Sequence, residues 1–228
     1  MNMRLGSPLQ KVGKTMFEVL SWLGVHWIEL IGVITGAGAV FFLAQNERQF
    51  FGVSAGVIGW TLGVINAVFF MVLFFNQLLF ADLTLNAYYF ITSALGLYWW
   101  QSKRGREGKP VRQITRLSWK GWLAVTLITI GGTWAFGTFL GSMTIAQFVY
   151  IDSFTTVLSF IGQYLLARKV FDNWYLWIIA DVIDIGLYAY KGLYLVVGMT
   201  VVYMVFCVMG IIKWKRDESA PLAELVAA

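Results

Sequence analysis

Residues 155–195 read TTVLSFIGQYLLARKVFDNWYLWIIADVIDIGLYAYKGLYL. Two long apolar runs meet at the short polar break around Arg168 and Lys169. An α-helix needs about 20 mostly apolar residues to cross hydrocarbon. The stretch therefore predicts the ends of two membrane helices, over about 148–167 and 173–190. In the second run Trp177, Asp181, Asp184 and Tyr188 recur at i, i+4, i+7 and i+11, which is one helix face. Val182, Ile183, Ile185 and Leu187 lie between them. The first run carries Asp152, Thr156, Ser159 and Gln163 at the same spacing. Polar side chains are costly in hydrocarbon and face a cavity or a partner. Two neighbouring helices with one polar stripe each, and an aromatic at each end of one stripe, predict the wall of a binding site. Carboxylates and aromatic faces both attract positive charge, so the ligand expected is polar, flat and cationic.

Five further stretches have the same character, at about 24–45, 51–75, 79–100, 120–140 and 193–213. Over all 228 residues, 59% are hydrophobic and 13% charged, with a mean hydropathy of +0.70. Soluble domains are about 25% charged, so this chain has too few charges to cover a water-facing globule, and disorder is excluded on the same ground. The expected fold is an all-α polytopic membrane protein with seven transmembrane helices. One Cys and one His exclude a disulfide framework and a multi-histidine centre. No metal and no cofactor is expected.

Residues 5–22 place Leu9, Val12, Met16, Leu20 and Leu23 at helical spacing among Lys11, Lys14 and Glu18, which suits a helix lying in the interface. This segment lacks the apolar core and cleavage site of a signal peptide. With seven spans, 13 of the 17 Lys and Arg fall on one side of the membrane. The positive-inside rule places that side, and the C-terminus, in the cytoplasm. The basic loop 101–120 is read as a determinant of this topology rather than as a nucleic-acid or lipid patch, so no nucleic-acid partner is expected. The bilayer itself is the expected surrounding.

An internal repeat follows from a shift of 114 positions. Trp60 then falls on Trp174, Ile65 on Ile179, Leu73 on Leu187, Gly96 on Gly210 and Trp100 on Trp214. The first span needs a shift of 123, which puts Leu43-Ala44 on Leu166-Ala167 and implies about nine extra residues near 46–56. The expected architecture is 3+1+3, with two parallel three-helix repeats joined by the fourth span. The corresponding division is an interfacial segment 1–23, a first repeat 24–100, a basic loop and linking helix 101–147, a second repeat 148–216 and a tail 217–228.

Asp181 lies farthest from either end of its span and is the leading candidate for ligand contact. Asp184 has a second reading, as partner to another polar group. Thr156 and Ser159 also suit bonding to their own helix, and Tyr188 and Trp177 suit an interface belt. Asp152 and Asp82 sit near span ends, where a solvated position is expected. In the first repeat Asn66 and Asn86 are the deep polar residues and complete the candidate site, with Trp60 and Glu29 nearer the ends. His26 is expected in the interface, and Cys207, among Val, Met and Phe, in packing.

These residues resemble the PnuC family of bacterial nicotinamide riboside transporters. The resemblance rests on 155–195 above, with WIELIGVITG (27–36), NQLLFAD (76–82) and GLYWW (96–100), and covers about 27–216. It implies the 3+1+3 fold, and an inner-membrane facilitator whose substrate a cytoplasmic kinase traps. It also implies that Trp177, Asp181, Gln163 and Asn66 contact the substrate, and that the protein forms a homotrimer. Many relatives carry Asn at the position of Asp181, and a small polar residue at that of Asp184. Related branches move thiamine, riboflavin or deoxynucleosides, so the resemblance leaves those substrates open. Other seven-span and membrane classes fit less well. A retinal protein needs a lysine in mid-span of the last helix, but Lys191 and Lys213 lie at span ends. An enzyme needs a nucleophile–base or metal set, and His26 and Cys207 lie on distant spans.

Overall fold

None of the three prolines, at positions 8, 110 and 221, falls inside an apolar stretch, so nothing interrupts the helical hydrogen bonding there. The computed structural model describes residues 27–76, 78, 80–101, 113–143 and 148–219. Residues 5–22, His26, most of the basic loop and the tail beyond 219 lie outside the described residues.

Seven helices are present among the described residues. They are α1 (Trp27–Ala44), α2 (Ala55–Asn76), α3 (Phe80–Gln101), α4 (Trp119–Met143), α5 (Val149–Ala167), α6 (Asn173–Tyr190) and α7 (Tyr194–Ser219). By length and composition α1, α2, α4 and α7 are apolar enough to cross a membrane unaided. The other three include the two polar stripes. In the bundle α5 packs against α3, α4 and α6, α2 against α3, and α6 against α7.

Two boundaries differ from the sequence reading. The second span was expected from residue 51, but α2 begins at Ala55 because residues 49–54 form a hairpin. Strands β1 (Gln49–Phe50) and β2 (Val53–Ser54) pair antiparallel across Phe51 and Gly52, both at positive φ. That is the backbone a tight two-residue hairpin requires. The extra residues near 46–56 thus hold a small β-hairpin between α1 and α2. The last span was expected to stop at Lys213, but α7 continues to Ser219. Its terminal charges find partners: Lys213 bonds Gln45, Asp217 accepts from Asn46 Nδ2 at 2.8 Å, and Glu218 pairs with Arg116 at 2.7 Å. The hydrogen bonds of that last pair hold the Arg116 guanidinium above its ordinary value.

Helix ends repeat along the chain. Asn46 and Lys169, 123 positions apart, end α1 and α5 in the left-handed conformation, with φ of 56° and 59°. Leu78 and Gly192, 114 apart, do the same after α2 and α6, with φ of 58° and 74°. At each end the left-handed residue's N–H reaches back three positions, to Leu43, Phe75, Leu166 and Ala189, the closure that satisfies orphan carbonyls of the last turn. A lysine is a costly choice there. Lys169 offsets this with an ion pair to Glu47 and a position 4.7 Å from the Trp100 ring.

The same end of the bundle holds the aromatic core. Trp60 contacts Trp100 edge-on at 5.9 Å, and Trp174 contacts Trp214 at 5.4 Å. Trp100 and Trp214 then meet at 6.0 Å. Both inner indoles press on a glycine. A Cβ on Gly96 would come 2.6 Å from the Trp60 ring, and one on Gly210 would come 2.6 Å from Trp174. Only glycine allows these approaches. The segment before α4 is stitched to this layer, for Asp172 accepts the Leu117 N–H at 2.7 Å and Arg116 covers the Phe171 ring at 4.2 Å.

Candidate functional site

A cavity of about 240 Å³ opens above the tryptophan layer. Every helix except α4 contributes to its wall. Small residues on α1, Gly36 and Ala39, make room on one side. Asn66 of α2 donates to the Gly32 carbonyl at 2.5 Å, which pins α2 to α1 beside the cavity. Gln163 of α5 donates to Ser93 Oγ of α3 at 3.4 Å and so bridges the two halves. The Trp177 indole lies against α5 at Gly162, where a Cβ would be 3.2 Å from Nε1.

Asp181 sits one turn beyond Trp177 and is 8% exposed. Cys207 Sγ donates to its Oδ2 at 3.8 Å, a weak contact. No Lys, Arg or His lines the described wall, and Asp181 is the one carboxylate in it.

Of the ten residues read as a site from sequence, the structure brings Trp60, Asn66, Gln163, Trp177 and Asp181 to this cavity. Thr156, Ser159, Asp184, Tyr188 and Asn86 do not line it. Thr156 bonds the Asp152 carbonyl at 2.7 Å and Ser159 the Thr155 carbonyl at 2.8 Å, both within their own helix. Asp184 lies beside Thr155, Asp152 and Lys191. Asp152, expected to be solvated, pairs with Lys191 at 3.4 Å, and both are part-exposed. Asn86 is buried and Tyr188 half-buried, each with an interaction of its own. The two polar stripes are therefore one face in sequence but two places in space. Their inner halves, Gln163, Trp177 and Asp181, reach the cavity, and the outer halves do not line it. Cys207 packs with the tryptophans, as its apolar neighbours suggested, and lines the cavity as well.

Several wall residues escaped the sequence reading, among them Tyr89, Ser93, Trp174 and Tyr203. The signal was present. The shift of 114 also aligns Tyr89 with Tyr203, Ser93 with Cys207 and Gly63 with Trp177, and the shift of 123 aligns Val40 with Gln163 and Leu43 with Leu166. With Trp60 and Trp174, these make six pairs of positions related by the two shifts, all of them in the wall.

Six of the seven helices enclose a small, mainly apolar cavity with a few polar groups, and together they define a multi-pass membrane protein with room for a small molecule. Comparison with known proteins makes the class specific. A profile described as nicotinamide mononucleotide transporter matches residues 26–216. The chain is 28% identical over 193 residues to the nicotinamide riboside transporter PnuC of Escherichia coli (strain K12), covering 75% of this chain and 77% of that one. It is 22% identical over 229 residues to PnuC of Neisseria mucosa, covering 90% and 82%. The crystal structure of the vitamin B3 transporter PnuC superposes with a TM-score of 0.65 at 20% identity, covering 93% of each chain. The chain belongs to the nicotinamide mononucleotide transporter family and is a membrane transporter.

Proposed function

We propose that the chain is a facilitator for nicotinamide riboside, which it binds in the central cavity and passes across the membrane by alternating access. The charge of the cavity wall carries this reading. A mononucleotide bears a phosphate, whose usual partners are Arg and Lys, and the described wall offers neither. A riboside has no phosphate, and its pyridinium ring is planar and positive. Asp181 is nearly buried with no basic neighbour in the wall. An ionised carboxylate in that position is costly unless a cation joins it, and a cationic ligand offsets the cost. Trp177, one turn away, supplies a face for the ring. Gln163 and Asn66 supply amides for the carboxamide or the ribose hydroxyls. At about 240 Å³ the cavity is smaller than most ligand pockets, which run from about 300 Å³ upward, so it suits a small ligand. The names of the Escherichia coli and Neisseria mucosa relatives support the same substrate.

The test is uptake by proteoliposomes. Labelled riboside is expected to enter downhill, chemically unchanged, with no imposed ion gradient, and the mononucleotide is expected not to compete. Faster entry of thiamine, riboflavin or a deoxynucleoside would move the substrate to that compound. Accumulation against a gradient, driven by protons or sodium, would make an acid in the spans a coupling site instead.

The same reading extends to the surroundings. We place the protein in the bacterial inner membrane with the C-terminus in the cytoplasm, on the charge distribution above, so a reporter fused after Arg216 should read as cytoplasmic. We treat α1–α3 and α5–α7 as two parallel three-helix units joined by α4, with the limits 24–100 and 148–216. The paired helix ends and paired wall positions support that division. A cytoplasmic kinase would trap the riboside by adding the phosphate that this cavity does not accommodate. The outward apolar face of α4, with Leu127, Ile130 and Trp134 exposed, leaves room for lipid or for the neighbours of a homotrimer.

A further inference from the structure

The floor of the cavity is made by Trp60 and Trp174, and below them Trp214 is buried and Trp100 half-buried. Trp60, Trp174 and Trp214 are 0–1% exposed, and Ala44, Ala167 and Phe171 around them are equally buried. A ligand leaving toward the ends of α1 and α5 must part these rings.

The four indoles divide by chemistry. Trp100 Nε1 donates to the Ala167 carbonyl at 3.2 Å, and Trp214 Nε1 donates to the Leu43 carbonyl at 3.1 Å. Each bond crosses from one half of the bundle to the other, and each lands on a carbonyl in the last turn of a helix, at Leu43 one that also accepts from the Asn46 N–H. Trp60 and Trp174 differ. Their Nε1 atoms are buried with no hydrogen-bond partner. Buried donors without partners are rare and unfavourable. Here two occur at positions 114 apart, in one layer, each beside a tryptophan whose N–H is satisfied.

We propose that this layer is a gate with opposed loads: the Trp100 and Trp214 hydrogen bonds hold it shut, and the unpaired Trp60 and Trp174 N–H groups favour opening, because water reaches them only when the rings part. The inference rests on the transport reading, in which the cavity opens in turn to each side. The Lys169–Glu47 ion pair and the Lys213–Gln45 bond cross the same layer and act with the first pair. A gate held only by favourable contacts would stay closed. Two unsatisfied donors keep the closed form from becoming a trap.

The four tryptophans permit a test in which one substitution type moves the gate in two directions. Phenylalanine keeps an aromatic ring and removes the N–H. Cys207 is the only cysteine, is buried, and packs in this layer, so it reports opening without any added probe site. The measurement is its labelling rate with a membrane-impermeant maleimide, applied without substrate from the side of the Lys169 turn. Trp100→Phe and Trp214→Phe are expected to speed labelling by roughly threefold to tenfold, the worth of one hydrogen bond. Trp60→Phe and Trp174→Phe are expected to slow it by a similar factor. Glu47→Gln, which breaks the ion pair without touching the aromatic core, is expected to speed it and covers the case in which a tryptophan variant fails to fold. Shifts of one sign in all the folded variants, or no shift in any of them, would overturn the gate. Because no substrate is present, that result is independent of uptake. A wild type that transports nothing would instead remove the transport reading while leaving the labelling rates interpretable.

Discussion

At the level of Trp60 and Trp174 the α1–α3 and α5–α7 halves are close copies. One to two helical turns farther along they are not. In the floor, tryptophan faces tryptophan, Gly96 answers Gly210, and Trp100 and Trp214 each donate to the opposite half. In the wall, Gly63 stands where the other half has Trp177 and Val40 where it has Gln163, while the position equivalent to Asp181 is Ala67, which does not line the cavity. The Trp100 and Trp214 bonds that join the halves come from equivalent positions, whereas the Gln163–Ser93 bond and much of what faces the cavity have no duplicate. In the wall α6 carries Trp177 and Asp181, while α1 and α2 carry Gly36, Gly63 and Asn66.

The duplicated layer should be the most sensitive to added volume, and equally so in both halves. A Cβ at Gly96 or Gly210 meets an indole at 2.6 Å, and overpacking a dense core costs about 1–3 kcal/mol or more. Gly96→Val and Gly210→Val are both expected to lower the melting temperature in detergent by similar, large amounts. A loss in one half only would break the equivalence of the two floors.

In the wall the expectation reverses, and the halves should differ. Trp177→Ala removes a stacking face and a cation–π contact worth roughly 0.5–2 kcal/mol. Riboside affinity by calorimetry should therefore fall about tenfold. Gly63→Ala, at the equivalent position, brings a Cβ 3.0 Å from the Ser93 hydroxyl, the acceptor of the Gln163 bond, and should lower affinity by less than Trp177→Ala does. Gln163→Val copies Val40 into the second half and removes one donor, so a loss of several-fold is expected, about one hydrogen bond. The smallest effect belongs to the periphery. Arg116→Gln breaks an exposed pair with Glu218, should cost at most about 1 kcal/mol of stability, and should leave uptake unchanged.

Much of this was legible in the chain. Long apolar runs free of proline placed all seven helices, and the shift of 114 paired the tryptophans and glycines that proved to be in contact. The polar stripe located Trp177 and Asp181 because a carboxylate far from a helix end has little other use. The rest depended on relations that a single helix does not display. Periodicity assigns a residue to a face but not to a depth, so Ser159 and Gln163 looked alike, and only one reaches the cavity. The 49–54 hairpin is too short to show alternation, and its Phe51-Gly52 turn lacks the usual asparagine or aspartate signal. The extent of α7 was hidden because Lys213, Lys215 and Arg216 read as a membrane boundary, whereas the helix continues past them to meet Asn46 and Arg116. Tyr89 and Tyr203 are amphipathic residues that apolar counting passes over, yet their equivalence under the repeat marked them.

The central claim is that the asymmetric wall reads positive charge through Asp181. Asp181→Asn keeps the shape and removes the charge, and calorimetric binding of nicotinamide riboside and of a neutral nucleoside of similar size to both proteins tests it. The expected result is a loss of about tenfold for the cationic riboside, equivalent to 1.4 kcal/mol, with little change for the neutral ligand. Equal changes for the two ligands, in protein shown to be folded, would contradict the claim and reduce Asp181 to a hydrogen-bond acceptor.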